Sequence, residues 1–123
     1  MKIISFGKTT PALLAGRKTV TRREWAAKHA ASFAAGELVQ AWNQSPRVKG
    51  SHRVGTIRLT EEPYLEQSDK IPLTDYEREG FGYLDEQGLR LGDNMEPGVL
   101  WRHWYSFPAD LWVVRFELVE VAP

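Results

Sequence analysis

Lys18 and Thr21 stand three residues apart in GRKTVTRR (16–23), where Arg17, Arg22 and Arg23 supply three further cations. A threonine hydroxyl is a weak nucleophile until a neighbouring base takes its proton. Lysine can be that base only when neutral, and nearby cations and burial both disfavour its charged form. The same cations could instead hold a phosphate or stabilise a developing oxyanion. A solvated basic turn is the plainest alternative. Geometry sets a condition on the pair. Positions 18 and 21 point to opposite faces of a regular strand, so they can cooperate only if Lys18 sits in a turn after Gly16, before the strand begins.

Other residue types suited to chemistry lie further along. Glu79, in DYEREG, is an ordinary surface acid of a short helix, or a carboxylate that holds Lys18 in place or protonates a departing amine. Glu77 is the competing acid two positions away. The loop SPRVKGSHR (45–53) offers Arg47, Lys49, His52 and Arg53, which could grip phosphates along an RNA strand or simply face solvent. WRHWYSF (101–107) carries Trp101, Trp104, Tyr105 and Phe107 beside Arg102 and His103. Those rings, with Trp42 and Tyr64, could stack on unpaired bases or fill a core. The three histidines, His29, His52 and His103, have no metal-ligand spacing, and there is no phosphate-binding glycine loop.

The elements that must position these groups can be read from pattern and punctuation. KIISF (2–6) reads as a first strand. TTPALLAG follows with Thr10 as N-cap, Pro11 at the first helical position and Gly16 at the C-terminal turn, which predicts a two-turn helix with Leu13 and Leu14 inward. KTVTRR is extended in character. EWAAKHAASFAAG (24–36) predicts a second helix with Trp25, His29 and Phe33 on one face. ELVQAWNQ and RVGTIRLTEEPYLE alternate as strands do. LTDYEREGF carries Thr74 and Glu77 at the spacing of a capping box, with Gly80 or Gly82 to end the helix. GYLDEQGLRLGDNMEPG reads as a long irregular loop, VLWRHWYSF as a short helix or turn, and LWVVRFELVEV (111–121) as a strand with one wholly apolar face. Several strands with short helices inserted predict an α+β fold built on a small, strongly curved sheet or barrel.

Composition narrows the classes. The 123 residues fit one domain, residues 1–123, and sixteen basic residues balance sixteen acidic ones, so any anion site must be local. The absence of cysteine excludes disulfides and thiolate chemistry. MKIISFGKTTP has too short an apolar run for a signal peptide, and no stretch is long enough to cross a bilayer, so a soluble, cytoplasmic protein without membrane partners is the expectation.

GRKTVTRR resembles the G-x-K-x-x-[E/T]-x-R signature of the ASCH domain, a branch of the PUA-like β-barrels linked to RNA, with Gly16, Lys18, Thr21 and Arg23 filling its four positions. The landmarks around it are similar in order. A strand and short helix precede the motif, GELVQAW resembles the barrel strand after it, LTDYEREGF the helix with the family's acid, and LWVVRFELVEV the closing strand. Threonine at 21, where many such domains have glutamate, resembles a small bacterial subgroup of amidohydrolases acting on N(4)-acetylcytidine. The resemblance implies a small PUA-like barrel with helices over one mouth, and Lys18, Thr21 and Glu79 acting together without metal or cofactor. Thr21 or a water is then the nucleophile. Arg17, Arg23, Trp42, Tyr64 and Trp104 are the expected substrate contacts, with Arg23 in a structural or electrostatic role. The chain departs from the subgroup in the segment EWAAKHAASFAAG and in the glycine-containing stretch after Phe81, both able to reshape a pocket. A binding module for single-stranded RNA, with or without ribonuclease activity, is the alternative that the wider family implies.

Overall fold

The computed structural model describes residues 1–123. Its strands are β1 (Ile3–Ser5), β2 (Val20–Arg23), β3 (Leu38–Trp42), β4 (Arg53–Leu59), β5 (Tyr64–Gln67) and β6 (Asp110–Val121). Its helices are α1 (Thr10–Leu14), α2 (Ala27–Ala31), α3 (Asp75–Arg78), α4 (Phe81–Gln87) and α5 (Pro97–Ser106). The strands form one curled sheet in the order β1-β3-β4-β6-β2, with β1 parallel to β3 and the other pairs antiparallel. This is the small α+β barrel that the strand pattern predicts.

The sheet depends on β6. Its second half pairs with β4, from Leu59 opposite Phe116 to Gly55 opposite Val121. Its first half pairs with β5 on the same edge, from Tyr64 opposite Val113 to Gln67 opposite Asp110. So β5 continues β4 after a break at 60–63, where Pro63 has no N–H to give a ladder. The other edge of β6 holds β2, which brings Thr21 opposite Val114 and Arg23 opposite Trp112. Across the seam between the outer strands, the Arg23 Nη2 donates to the Ser5 carbonyl at 2.6 Å.

Two apolar clusters fill the space. The larger one joins Ile4, Phe6, Leu13, Phe33, Val39, Ala41, Val54, Ile57, Leu59, Val114 and Phe116 inside the curl. The smaller one, around Ala12, Phe81 and Leu84, gathers Tyr76, Tyr83, Leu100, Trp101 and Trp104 from the helices and Leu91 from the segment after α4. The expected apolar face of β6 supplies Val114 and Phe116 to the first cluster. Its opposite face is also buried at Leu111 and Val113, and its Arg115 donates to Asp75 at the start of α3.

Several local expectations are corrected. Thr9, not Thr10, precedes α1, and Leu14 faces outward while Leu13 is fully buried. The alanine-rich helix is only Ala27–Ala31, yet Trp25, His29 and Phe33 still meet, with ring centroids 4.7–5.2 Å apart. The stretch after Phe81 is a loop only over residues 88–96: α4 runs to Gln87 because Phe81 and Leu84 turn the same face into the helical cluster. The capping box does not form. Thr74 has helical backbone angles and no capping hydrogen bond, and Glu77 is turned to Arg17 instead.

Gly80 holds the junction of α3 and α4 in the left-handed region, at φ +88°. A Cβ there would lie 2.5 Å from the Ala12 Cβ and 3.2 Å from the Lys18 Cβ, so the bend lies directly against the turn that carries Lys18. Gly88 has φ +67° with open space around it. Gly80→Ala should therefore cost the left-handed penalty of about 1–2 kcal/mol together with a steric cost of about 1–3 kcal/mol, and Gly88→Ala only the former. Urea unfolding of the two variants measures the difference; equal losses would mean that the close approach at Gly80 carries no strain.

Candidate functional site

The turn after α1 meets the condition set by the spacing of Lys18 and Thr21. Gly16 takes φ +75°, and the backbone N–H groups of Arg17 and Lys18 both donate to the Ala12 carbonyl, at 3.0 and 3.2 Å. Lys18 thus lies in the turn, Thr19 donates its N–H to the Arg78 carbonyl at 2.7 Å, and the strand starts only at Val20. With the alternation starting late, Lys18 and Thr21 border the same cavity. No hydrogen bond joins them directly.

Lys18 is bonded to Glu79. The ammonium donates to the carboxylate Oε1 at 3.0 Å and to the main-chain carbonyl of the same residue at 2.9 Å, and both side chains are almost wholly buried. The second oxygen, Oε2, accepts from Arg22 Nη1 at 2.7 Å. Arg22 also donates through Nη2 to Asp75 Oδ2 at 2.5 Å and through Nε to Glu66 Oε1 at 3.1 Å. Arg115 grips Asp75 with both terminal nitrogens, at 3.2 and 2.7 Å, and donates its Nε to the Tyr64 hydroxyl at 3.0 Å. Three cations and three carboxylates form one connected array whose hydrogen-bonded charges balance, and the exposed Arg78 adds a longer ion pair to Asp75 at 3.7 Å.

Burial works against each of these charges, and the outcome differs by residue. It pushes the Lys18 ammonium below its ordinary value; Glu79 opposes that, while Arg23 and Arg22 add to it. It also disfavours the Asp75 carboxylate, but the hydrogen bonds and charges of Arg115 and Arg22 outweigh it and hold the group below the ordinary carboxylate range.

Arg23 stands outside the balanced array. It shares a side of β2 with Thr21, donates its Nε to the Thr21 Oγ1 at 3.0 Å and lies 5.6 Å from the Phe6 ring centroid. Its partners are a hydroxyl, a carbonyl and a ring, none of them an anion. Its Nη1 makes no hydrogen bond and keeps contact with solvent. The cavity therefore has one uncompensated guanidinium on its wall.

That cavity measures about 420 Å³. Lys18, Thr21, Arg22, Arg23 and Glu79 line one side, and Phe6, Phe81, Leu91, Leu100 and Trp104 provide its apolar surface. The structure thus gathers Lys18, Thr21, Glu79, Arg23 and Trp104, five of the residues that the sequence singles out. Arg17, Trp42 and Tyr64 are not among the lining residues. Arg17 is at the surface, paired with Glu77 and Glu86. Trp42 donates its Nε1 to Gln40 on β3 at 2.9 Å, and Tyr64 is the acceptor for Arg115. Glu77, bound to Arg17, lies outside the cavity, so Glu79 is the acid of this site. No three His, Asp or Glu side chains converge to hold a metal ion, and each buried carboxylate of the array is turned to a cation.

Arg22, Asp75, Glu66 and Arg115 are not among the residues proposed from sequence. Arg115 did leave a signal: a guanidinium in the apolar run LWVVRFELVEV, at the parity of Leu111 and Val113, needs a buried partner. Asp75 left none, since an acid at the start of a helix is ordinary at a surface.

No protein-family model matches the chain, and a search of curated proteins returns no match. Among solved structures, the chain is similar to protein EF3133 from Enterococcus faecalis V583, whose description carries the family-model DUF984. The TM-score is 0.57 at 16% sequence identity, over 98% of this chain and 77% of that one. At this identity, what the two chains share is the fold.

Proposed function

We propose that the protein is an amidohydrolase that removes the acyl group from an N(4)-acylcytidine-type nucleoside, with Lys18, Thr21 and Glu79 as its reacting groups. The observation that carries this reading is their arrangement around one cavity with an aromatic wall and an unpaired guanidinium. Its volume is within the range of pockets for small ligands, roughly 300–1,000 Å³. The resemblance of GRKTVTRR to the threonine-bearing ASCH subgroup supports the choice of substrate class.

The contacts support the following chemistry. Neutral Lys18 takes the proton of the Thr21 hydroxyl as its oxygen attacks the amide carbon. The hydroxyl proton is free for that transfer, because Arg23 donates to the oxygen rather than accepting from it. As the carbonyl oxygen gains charge, the Arg23 guanidinium is the cation available to stabilise it. Lys18, now charged and held by Glu79, returns the proton to the departing exocyclic amine. Water then cleaves the threonine ester and restores the hydroxyl. In the variant with water as nucleophile, Thr21 holds the water and Lys18 takes the proton from it. Burial of Lys18 favours the neutral form that either route needs, and Glu79 favours the charged form that the second half needs.

The RNA-binding alternative finds its cations at the surface loop, where Arg53 pairs with Glu120 at 2.7 Å and residues 45–50 are exposed. A nucleoside pocket and a phosphate-gripping surface differ in their response to salt. Binding to single-stranded RNA through several phosphates should weaken steeply as salt rises, whereas hydrolysis of a neutral nucleoside should hardly change.

Purified protein incubated with N(4)-acetylcytidine should release cytidine, with Lys18→Ala and Thr21→Ala each lowering kcat/KM by about 100-fold or more. Glu79→Gln should lower kcat while leaving KM nearly unchanged. The absence of turnover above buffer, or turnover indifferent to the Lys18 and Thr21 substitutions, rejects the hydrolase reading. An RNA affinity that falls steeply with salt in the same preparation would favour the alternative.

A further inference from the structure

We propose that Asp75 is a positioning residue for the Lys18–Glu79 pair, acting through Arg22, with Arg115 governing how much of its charge reaches that pair. The inference rests on the reading of Lys18 as a base that must lose its proton. Asp75 does not itself line the cavity; it reaches the site through Arg22, which does.

The geometry is that of a clamp. A guanidinium is planar and rigid, so fixing two of its edges fixes the third. Arg22 is held at Nη2 by Asp75 and at Nε by Glu66, which leaves Nη1 aimed at Glu79 Oε2. With Oε2 taken, Oε1 is the oxygen that faces Lys18. The orientation of the Glu79 carboxylate is thereby set from α3, one turn before the residue itself. Asp75 is in turn held from β6 by the two terminal nitrogens of Arg115.

Stability alone is a weak reason for this array. Charges taken out of water cost several kcal/mol each before their attraction offsets the loss, and apolar replacements of similar volume are often as stable. A clamp that controls orientation and local potential is something an apolar cluster cannot provide.

The electrostatic consequence has a definite sign. Lys18 is faced by Glu79 from the end of α3 and by Arg22 and Arg23 from β2. Beyond Arg22 lie Asp75, Glu66 of β5, Arg115 of β6 and, 3.7 Å from Asp75, Arg78 at the end of α3, and Tyr105 of α5 feels the charges of Arg22, Glu66 and Asp75. Removing the negative charge of Asp75 makes the surroundings of Lys18 more positive, so the ammonium loses its proton at lower pH. Removing the positive charge of Arg115 leaves Asp75 less neutralised, so the proton is lost at higher pH. An array whose outer charges do not reach Lys18 would lose stability in both variants without moving its titration.

The test follows the Lys18 Nζ by nitrogen NMR across pH in the wild type, Asp75→Asn, Arg115→Gln and Arg115→Lys, with the resonance assigned by its loss in Lys18→Arg. Asp75→Asn should move the Lys18 titration toward acid and Arg115→Gln toward alkali, each by about half a pH unit or more, while the charge-conserving Arg115→Lys leaves it in place. The rising limb of kcat/KM against pH for N(4)-acetylcytidine should move with it. Shifts in the same direction, or none, overturn the proposal. If Asp75→Asn fails to fold, the alkaline shift of Arg115→Gln against an unmoved Arg115→Lys decides in favour, and its absence decides against. Opposite NMR shifts in a protein without turnover uphold the coupling while rejecting the hydrolase reading.

Discussion

The Glu79 carboxylate takes a cation on each oxygen, Lys18 on one and Arg22 on the other, in a place from which water is nearly excluded. An unpaired charge at that depth would be costly enough to neutralise itself or disrupt the surrounding structure. Each member therefore requires the next. Glu79 needs both cations, Arg22 needs Asp75 and Glu66, and Asp75 needs Arg115. The chain of partners runs from the turn after α1, through α3, to the middle of β6. It ties the helical layer to the sheet with directional bonds that apolar contact lacks.

Two glycines make that array possible, Gly16 through its left-handed φ and Gly80 also by letting the backbone come close without a side chain in the way. Gly16 turns the chain out of α1 so that Lys18 falls before the strand. Gly80 turns it from α3 into α4 while passing against Ala12 and Lys18. The two bends face each other across the site, and the main-chain carbonyl of Glu79 becomes a second acceptor for the lysine. The aromatic residues beyond Gly80 then close the apolar side of the cavity, with Phe81 and Trp104 at 5.9 Å between ring centroids.

Within this frame Arg23 is the exception that gives the cavity its polarity. The array is balanced in charge, and Arg23 is not part of it. Burial lowers its hold on the proton from an already very high value, with only Glu79 acting in the other direction. It remains a guanidinium whose open Nη1 is free for an oxygen of a bound molecule. Lys18 and Arg23, on opposite sides of Thr21 in the sequence, thus bring an ion-paired cation and an unpaired one to the same cavity.

Much of the fold was legible because it rests on local rules. Alternation marked β6 and β4, glycine and proline marked the ends of α1, and the motif GRKTVTRR marked the turn and strand with their chemistry. The reading failed where a long-range partner overruled a local pattern. Glu77 fits a capping box but goes to Arg17, and the residues after Phe81 up to Gln87 are helical because the second cluster holds them. For the site, the sequence determined which polar groups stand in the motif and that Gly16 permits Lys18 and Thr21 to border one cavity. Only the tertiary structure decided that Glu79 rather than Glu77 meets the lysine, and that Asp75 and Arg115 stand behind it. A buried ion pair is chosen by the distance and dielectric between residues some sixty positions apart, and spacing along the chain carries no record of either.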